Sequence, residues 1–182
     1  MKVVNVMKSK EIIIETYKKL VLENKSTKIT VKEICEDASV SRTTFYKYFK
    51  DSYHIMEAIL VDDSISLLKK LLELRVDSFS VTKAWYIDFY KKKELCYYAI
   101  KDESQNSLFN TLIHKLTELN CEIYKDVYTT DLIEYYAYKY AALQAMLLKK
   151  WILDGMKLPA STMAEIFLHD IMSDQDDVYQ KL

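Results

Sequence analysis

One twelve-residue stretch holds the side chains best suited to touching a charged partner. Residues 39–50, SVSRTTFYKYFK, combine hydroxyls, a guanidinium, lysines and aromatic rings in a chain of which half the residues are apolar. Phe45 and Phe49 are four positions apart, so in a helix they share a face and can pack into a core. The hydroxyl and cationic side chains are then left outside, where they can contact the phosphates and base edges of a nucleic acid.

The sequence offers little for catalysis. Its single glycine excludes a glycine-rich phosphate loop, and it has no Gly-x-Ser-x-Gly motif. Asp51 and His54 have the i, i+3 spacing of a carboxylate–histidine ligand pair, but the second copy that a di-iron bundle requires is missing. Cys35, Cys96 and Cys121 are odd in number and lie in apolar helical patterns, which favours buried free thiols. We expect neither an enzyme nor a bound metal or cofactor.

The charge is divided unevenly along the chain. The net charge is −1, yet residues 1–50 carry 11 Lys and Arg against 6 Asp and Glu, whereas residues 51–182 carry 15 against 21. A polyanion would be attracted by the first part and repelled by the second. A chance excess of lysines on solvated faces is the alternative, so the charge supports a nucleic-acid partner only together with the residue pattern.

Composition predicts the elements that must carry these side chains. One glycine and one proline in 182 residues leave little room for the turns of a β or α/β protein, so we expect an all-α fold. No apolar run approaches the ~20 residues of a membrane span, and no signal-peptide pattern opens the sequence, so we expect a cytoplasmic protein.

Start signals divide the first fifty residues into three short helices. Apolar spacing predicts a helix over residues 9–23, and Thr30 with Glu33 forms a capping box for a second helix over residues 31–38. Ser41 is a suitable N-cap for the third. Two short helices joined by about three residues bury their apolar faces only if they cross steeply, as in a helix-turn-helix.

Residues 12–60 are similar to the DNA-binding domain of the TetR family of bacterial transcriptional regulators. The similarity rests on ITVKEICEDASVSRTTFYKYFKD, with its Thr-opened helix, its SRTTFYKYF recognition helix and Asp51 as the N-cap of the next helix. Ser39 departs from the family, which usually has glycine in the turn. A left-handed backbone there would cost a serine about 1 kcal/mol.

The resemblance implies two domains. The first is a three-helix DNA-binding domain at residues 8–54, with the helix-turn-helix at about 30–49. The second is a larger helical regulatory and dimerisation domain at residues 55–182. Apolar spacing predicts its helices at residues 52–76, 81–92, 94–101, 107–128, 132–154 and 161–172. Gly155 marks the end of the longest of the later helices.

The family's recognition helix enters the major groove with its N-terminal residues, which implies base-edge contacts from Thr43, Thr44 and Lys47. With the implied phosphate contacts, the DNA-binding set is Lys28, Thr30, Arg42, Thr43, Thr44, Tyr46, Lys47, Tyr48 and Lys50. Three of these have alternatives. Tyr48 can pack in the core, Arg42 can pair with Glu36 or Asp37, and Thr30 has its capping role in any case.

The resemblance also implies a dimer and a small-molecule pocket. The last two helices would pair with those of a second subunit through Leu143, Leu147, Trp151, Met163 and Phe167. The pocket candidates, taken from the aromatic middle of the chain, are Trp85, Phe89, Tyr97, Phe109, His114 and Tyr136. For both sets, packing in the chain's own core is the alternative.

We therefore expect a sequence-specific DNA-binding regulator that acts as a homodimer on a near-palindromic, double-stranded operator. The expected mode is a repressor that a small-molecule inducer releases. The alternatives are an activator and a regulator controlled by a protein partner.

Overall fold

The computed structural model describes residues 2–102, 107–125 and 130–179, with side-chain surroundings for residues 9–102, 108–125 and 131–169. Its described part is helical and contains no strand, as the scarcity of glycine and proline predicts. None of the described helices is long and apolar enough to cross a membrane. The α-helices are α1 (Lys2–Asn24), α2 (Val31–Asp37), α3 (Arg42–Tyr46), α4 (Ser52–Glu57), α5 (Asp63–Glu73), α6 (Ser78–Lys91), α7 (Lys93–Lys101), α8 (Ser107–Tyr124), α9 (Thr130–Leu153) and α10 (Ala160–Tyr179).

Helices α1, α2 and α3 form a small N-terminal unit around a shared core. Ile13, Tyr17 and Val21 recur every four residues along α1 and are fully buried. Ile34 of α2 and Phe45 of α3 are fully buried in the same core. The predicted capping box of α2 is present, and Ser41 and Asp51 cap α3 and α4 as expected. Burial of these apolar side chains is the main term that holds the two short helices α2 and α3 against α1.

A continuous helical segment, residues 52–73, joins this unit to the rest of the molecule. It consists of α4, a π-helical turn at Ala58–Asp62, and α5. The sequence predicted one α-helix over residues 52–76. The structure differs in having the π-helical turn, whose residues Ala58, Ile59, Leu60 and Val61 are all buried, and in ending the segment at Glu73.

Helices α6 to α10 form the larger C-terminal unit. Helix α9 packs along α8, α10 packs against α6 and α9, and α7 lies between α1 and α9. Gly155 follows α9 with φ of +77°, as predicted. Helix α8 ends at Tyr124, whereas the sequence predicted an end at residue 128, which lies outside the described residues.

Candidate nucleic-acid interface and regulatory cavity

The turn between α2 and α3 uses a backbone motif that normally ends in glycine. Ser39 has φ of +52°, the left-handed conformation. The N–H of Val40 donates to the carbonyl of Cys35 at 3.0 Å, and the N–H of Ser39 donates to that of Glu36 at 3.3 Å. These two bonds form a Schellman motif. The turn therefore has the backbone that the family's glycine would adopt, with the strain of a serine side chain added.

Aromatic side chains fix the orientation of α3. Phe45 is fully buried and Phe49 nearly so, with their ring centroids 6.1 Å apart. Tyr46 packs edge-on against Phe45 at 5.4 Å but remains 58% exposed. Since Phe45 and Phe49 hold one side of the helix in the core, the opposite side faces outward as a unit.

The outward side of the N-terminal unit concentrates cationic and hydroxyl groups. Two side chains lie in the first turn of α3, one near its end, two just beyond it, and one in the loop before α2. All are exposed: Arg42, Thr43, Tyr46, Lys47, Lys50 and Lys28. With Thr30, which is also exposed, seven of the nine side chains predicted to contact DNA lie on accessible surface.

Arg42 is free of the intramolecular pairing that the sequence allowed. Asp37 is bound by Lys19 at 3.2 Å, and Glu36 lies 3.8 Å from Lys32. Among the described residues, no carboxylate forms an ion pair with Arg42. Its guanidinium therefore keeps all of its donors for an external acceptor.

Three members of the predicted DNA-binding set have local roles. The hydroxyl of Thr44 lies 2.9 Å from that of Ser41, and the hydroxyl of Thr30 accepts from the Glu33 N–H at 3.2 Å. The Thr30 hydroxyl and backbone N–H both donate to the Glu33 carboxylate, which lowers the pKa of Glu33. Tyr48 is half-buried against the core. Thr44 and Tyr48 are half-buried, whereas Thr30 is exposed while it caps α2.

The Asp51–His54 pair has a structural role. Asp51 accepts from the His54 N–H at 2.8 Å, and Nδ1 of His54 accepts from the Lys50 N–H at 3.3 Å. The pair thereby fixes the junction between α3 and α4. No group of three His, Cys, Asp or Glu side chains suited to a metal ion occurs in the described parts of the chain.

An apolar cavity of about 30 Å³ lies where the π-helical turn meets α6, α7, α8 and α9. Burial raises the pKa of the Cys96 thiol in its wall to about 12, so that thiol stays protonated. The volume is far below the ~300–1,000 Å³ of small-molecule pockets, so the walls are nearly closed in this conformation. The lining residues are Leu60, Val61, Phe89, Cys96, Ala99, Ile100, Leu108, Phe109, Leu112, Leu148 and Ile152.

The six predicted pocket residues are not brought together. Phe89 and Phe109 line the apolar cavity, and Trp85 lies behind Phe89 with ring centroids 4.7 Å apart. The remaining three lie elsewhere. Tyr97 borders a groove beside Lys28, His114 is exposed, and Tyr136 packs in a separate cluster around Tyr140 and Phe167. Sequence spacing identified aromatic helix positions but not the apolar Leu, Ile and Ala side chains that form most of the wall.

Most of the predicted dimer residues are buried within the subunit. Trp151, Met163 and Phe167 are at most 6% exposed, while Leu143 and Leu147 are half-buried. A different set of apolar side chains on α9 and α10 is accessible: Leu132, Tyr135, Tyr138, Met146, Leu153 and Ile166. The sequence feature that could have identified this accessible set is the spacing of Tyr135, Met146 and Leu153, which places the three residues on one side of α9.

Comparison with known proteins agrees with this architecture. Residues 81–173 match the family model TetR_C_8, the C-terminal region of transcriptional regulators. No curated protein sequence matches the chain.

Solved structures share the fold at low sequence identity. A protein from Syntrophomonas wolfei assigned to the TetR family is 16% identical, with a TM-score of 0.70 over 93% of this chain and 95% of that one. The dihydroxyacetone kinase operon activator DhaS is 13% identical, with a TM-score of 0.68 over 92% and 96% of the two chains. Thermus thermophilus FadR, a TetR-family repressor in complex with lauroyl-CoA, is 17% identical, with a TM-score of 0.60 over 88% and 91%.

The family match spans more than half of the chain, and the helix-turn-helix precedes it in the expected place. This protein therefore belongs to the TetR family of transcriptional regulators.

Proposed function

We propose that the protein is a repressor that binds a near-palindromic operator as a homodimer and leaves it when a small molecule occupies the apolar cavity. The observation that supports this proposal most strongly is the continuous helical segment formed by residues 52–73. It begins just after the recognition helix, and its π-helical turn contributes Leu60 and Val61 to the cavity wall. A change in the cavity therefore acts on the helix that carries the DNA-contacting unit. We place the boundary between the two domains at residues 54 and 55.

In the proposed complex α3 lies in the major groove of operator DNA. Arg42 and Thr43, in its first turn, and Lys47, just past its last residue, reach base edges. The guanidinium of Arg42, which has no ion-pair partner among the described residues, suits the two acceptors of a guanine. Tyr46, Lys50 and Lys28 contact phosphates, which fixes the register of the protein on the duplex.

Thr30, Thr44 and Tyr48 support this surface from behind. Thr30 holds the start of α2 through its capping box, and Thr44 holds the first turn of α3 through Ser41. These residues contribute to DNA affinity mainly by positioning the DNA-contacting side chains, and their own phosphate contacts contribute less.

The proposed homodimer covers the accessible face of α9 and α10. Tyr135 is 77% exposed and Met146 46%, and both lie on the side of α9 turned away from the core. Leu153 and Ile166 extend this apolar surface, which a second copy would remove from water. Two-fold symmetry then places two recognition helices about 34–36 Å apart, one turn of DNA.

Release by a ligand requires the cavity to expand. Lys92, between α6 and α7, donates to the carbonyl of Ile59 in the π-helical turn at 3.0 Å and to Asp88 at 2.7 Å. Separation of α6 and α7 by a ligand therefore pulls on the π-helical turn. The ligand favours release only to the extent that it binds the expanded conformation more tightly.

Activation of transcription is the second candidate. It is favoured by the description of one structure of similar fold, DhaS, as an operon activator. The description of FadR as a repressor in complex with lauroyl-CoA favours repression under small-molecule control. A protein partner in place of a small molecule remains the third candidate, and the near-closed cavity is the feature that favours it.

The experiment that separates these candidates starts from the DNA. Operator fragments are selected from genomic DNA with the purified protein, and transcription from the adjoining promoter is measured in vitro. We expect the protein to lower transcription, with two subunits bound per operator in sedimentation. An increase in transcription would favour the activator, and failure to select any sequence would contradict DNA-binding regulation.

A further inference from the structure

Two buried hydrogen-bond donors on α6 have no acceptor. Trp85 and Tyr86 are fully buried, and no acceptor among the described residues bonds the Trp85 Nε1–H or the Tyr86 hydroxyl. Buried polar groups in native proteins are nearly always paired, because an unpaired one loses its bonds to water without replacement. Among the described side chains, these are the only two buried polar atoms without a hydrogen-bond partner, and they belong to consecutive residues. Both donors are therefore available to an acceptor from outside the protein.

One of the two donor side chains, Trp85, contacts the wall of the apolar cavity, and the other, Tyr86, contacts Trp85. Trp85 is one helical turn before Phe89, and their rings are in contact at 4.7 Å between centroids. Phe89 in turn lines the cavity. Tyr86 packs edge-on against Trp85 at 5.2 Å and against Trp151 at 5.5 Å. Phe89 is therefore the contact between the cavity wall and the Trp85 indole, and a ligand that reaches the two donors from the cavity has to displace this ring.

We propose that the regulatory ligand is an uncharged molecule with an apolar body and a hydrogen-bond-accepting group, such as a carbonyl. The apolar body fills the cavity opened by Phe89, and the acceptor receives the Trp85 N–H and the Tyr86 O–H. This inference rests on the proposed function and specifies the chemistry of its ligand.

The absence of buried charge in the described core explains why the ligand is neutral. Lys92 is already engaged by Asp88 and by the carbonyl of Ile59. Burial raises the pKa of the Tyr86 phenol, so it stays protonated and keeps its donor at neutral pH. A carboxylate or an ammonium group in this site would lose its hydration without gaining a counter-charge. The buried polar residues of the described chain are all uncharged: Thr27, Ser64, Thr82, Asn120 and Gln144.

The first test compares probes of equal length and different head groups. Binding of 2-octanone, octanoate and octylammonium to the full-length protein without DNA is measured by calorimetry and by tryptophan fluorescence. We expect 2-octanone to bind saturably and the two ions to bind at least about ten-fold more weakly, since each would bury a charge. Equal or tighter binding of either ion, or no saturable binding of 2-octanone, overturns the inference.

The second test removes one donor at a time. Tyr86→Phe deletes only the hydroxyl, and Tyr90→Phe on the exposed side of α6 is its matched control. We expect Tyr86→Phe to weaken 2-octanone binding about five-fold, the effect of one hydrogen bond, and Tyr90→Phe to leave it unchanged. The melting temperature of ligand-free Tyr86→Phe should rise by about 2 °C, because an unpaired buried group is gone.

Trp85→Phe provides an independent check on the second donor, since it should also weaken 2-octanone binding. Unchanged affinity in both Tyr86→Phe and Trp85→Phe overturns the inference. A fall in the melting temperature of Tyr86→Phe also overturns it, because the hydroxyl would then have a stabilising partner in the free protein. Operator binding, measured separately, distinguishes failure of the ligand inference from failure of the proposed function. A protein that binds DNA but not 2-octanone refutes only the ligand chemistry, and one that binds 2-octanone but no DNA refutes the proposed function.

Discussion

Replacement of Ser39 by glycine should stabilise the protein. Ser39 has φ of +52° at the end of α2, a conformation that costs a residue with a Cβ about 1–2 kcal/mol and glycine almost nothing. Glycine also has more conformational freedom than serine in the unfolded chain. That freedom favours unfolding by about 0.4–1 kcal/mol and offsets part of the relieved strain. The two backbone bonds of the turn are kept, so the net gain is about 0.7 kcal/mol. For a chain of this length that corresponds to a rise in melting temperature of about 2 °C.

The assay is urea unfolding followed by circular dichroism at fixed protein concentration, with a thermal scan beside it. Ser39→Ala is the matched control, since alanine keeps the Cβ and should gain nothing. Arg75→Gly, at a helix end with φ of +53° and the same pair of backbone bonds, should behave like Ser39→Gly. If Ser39→Gly destabilised the protein, or if Ser39→Ala stabilised it equally, left-handed strain at this turn would not be the explanation.

Three further outcomes are expected. Phe45→Ala should destabilise the N-terminal unit by about 3–5 kcal/mol, since Phe45 is fully buried, and amide hydrogen exchange should show loss of protection there before the rest of the chain. The pKa of Glu33 is lowered by its bonds from Thr30, so its contribution to stability is complete above its unfolded pKa of 4.5 and is lost as the pH falls through the lower folded value. Thr30→Val should reduce this acid dependence in unfolding experiments between pH 6 and pH 3. Met146→Glu should convert the proposed dimer to monomers in sedimentation at micromolar concentration, because it places a charge in the accessible apolar face of α9; a stable dimer would place the interface elsewhere.

Local signals predicted the N-terminal unit well. The capping box of Thr30 and Glu33, the N-cap Ser41 and the Phe45–Phe49 spacing each involve residues within four positions of one another. Such features depend on backbone geometry that neighbouring residues determine, so the sequence alone locates them. The left-handed turn at Ser39 was expected only from the resemblance to a family with glycine at this position, since serine itself gives no local signal for a positive φ.

The apolar cavity and the accessible face depend on which side of each helix meets the core. That choice is made by distant elements, so the sequence could name aromatic positions such as His114 and Tyr97 without indicating that both would be exposed. The sequence also did not predict the π-helical turn, because an extra residue in a helical turn has no local sequence signature. For Trp151, predicted at a subunit interface with packing in the chain's own core as the alternative, the ring packs on Tyr86 and the Nε1–H donates to the carbonyl of Leu158 at 3.0 Å.

The salt dependence of operator binding tests most directly whether the exposed side of the N-terminal unit contacts DNA. Affinity is measured by fluorescence anisotropy across a range of salt concentrations for the unaltered protein, Lys50→Ala, Lys47→Ala and the distant control Lys69→Ala. Each phosphate contact contributes about 0.9 to the slope of log affinity against log salt. Lys50→Ala should therefore reduce the slope by about 2 in a dimer, Lys47→Ala should weaken binding, and Lys69→Ala should change neither. Unchanged affinity and slope in both Lys50→Ala and Lys47→Ala would contradict the assignment of this surface to DNA.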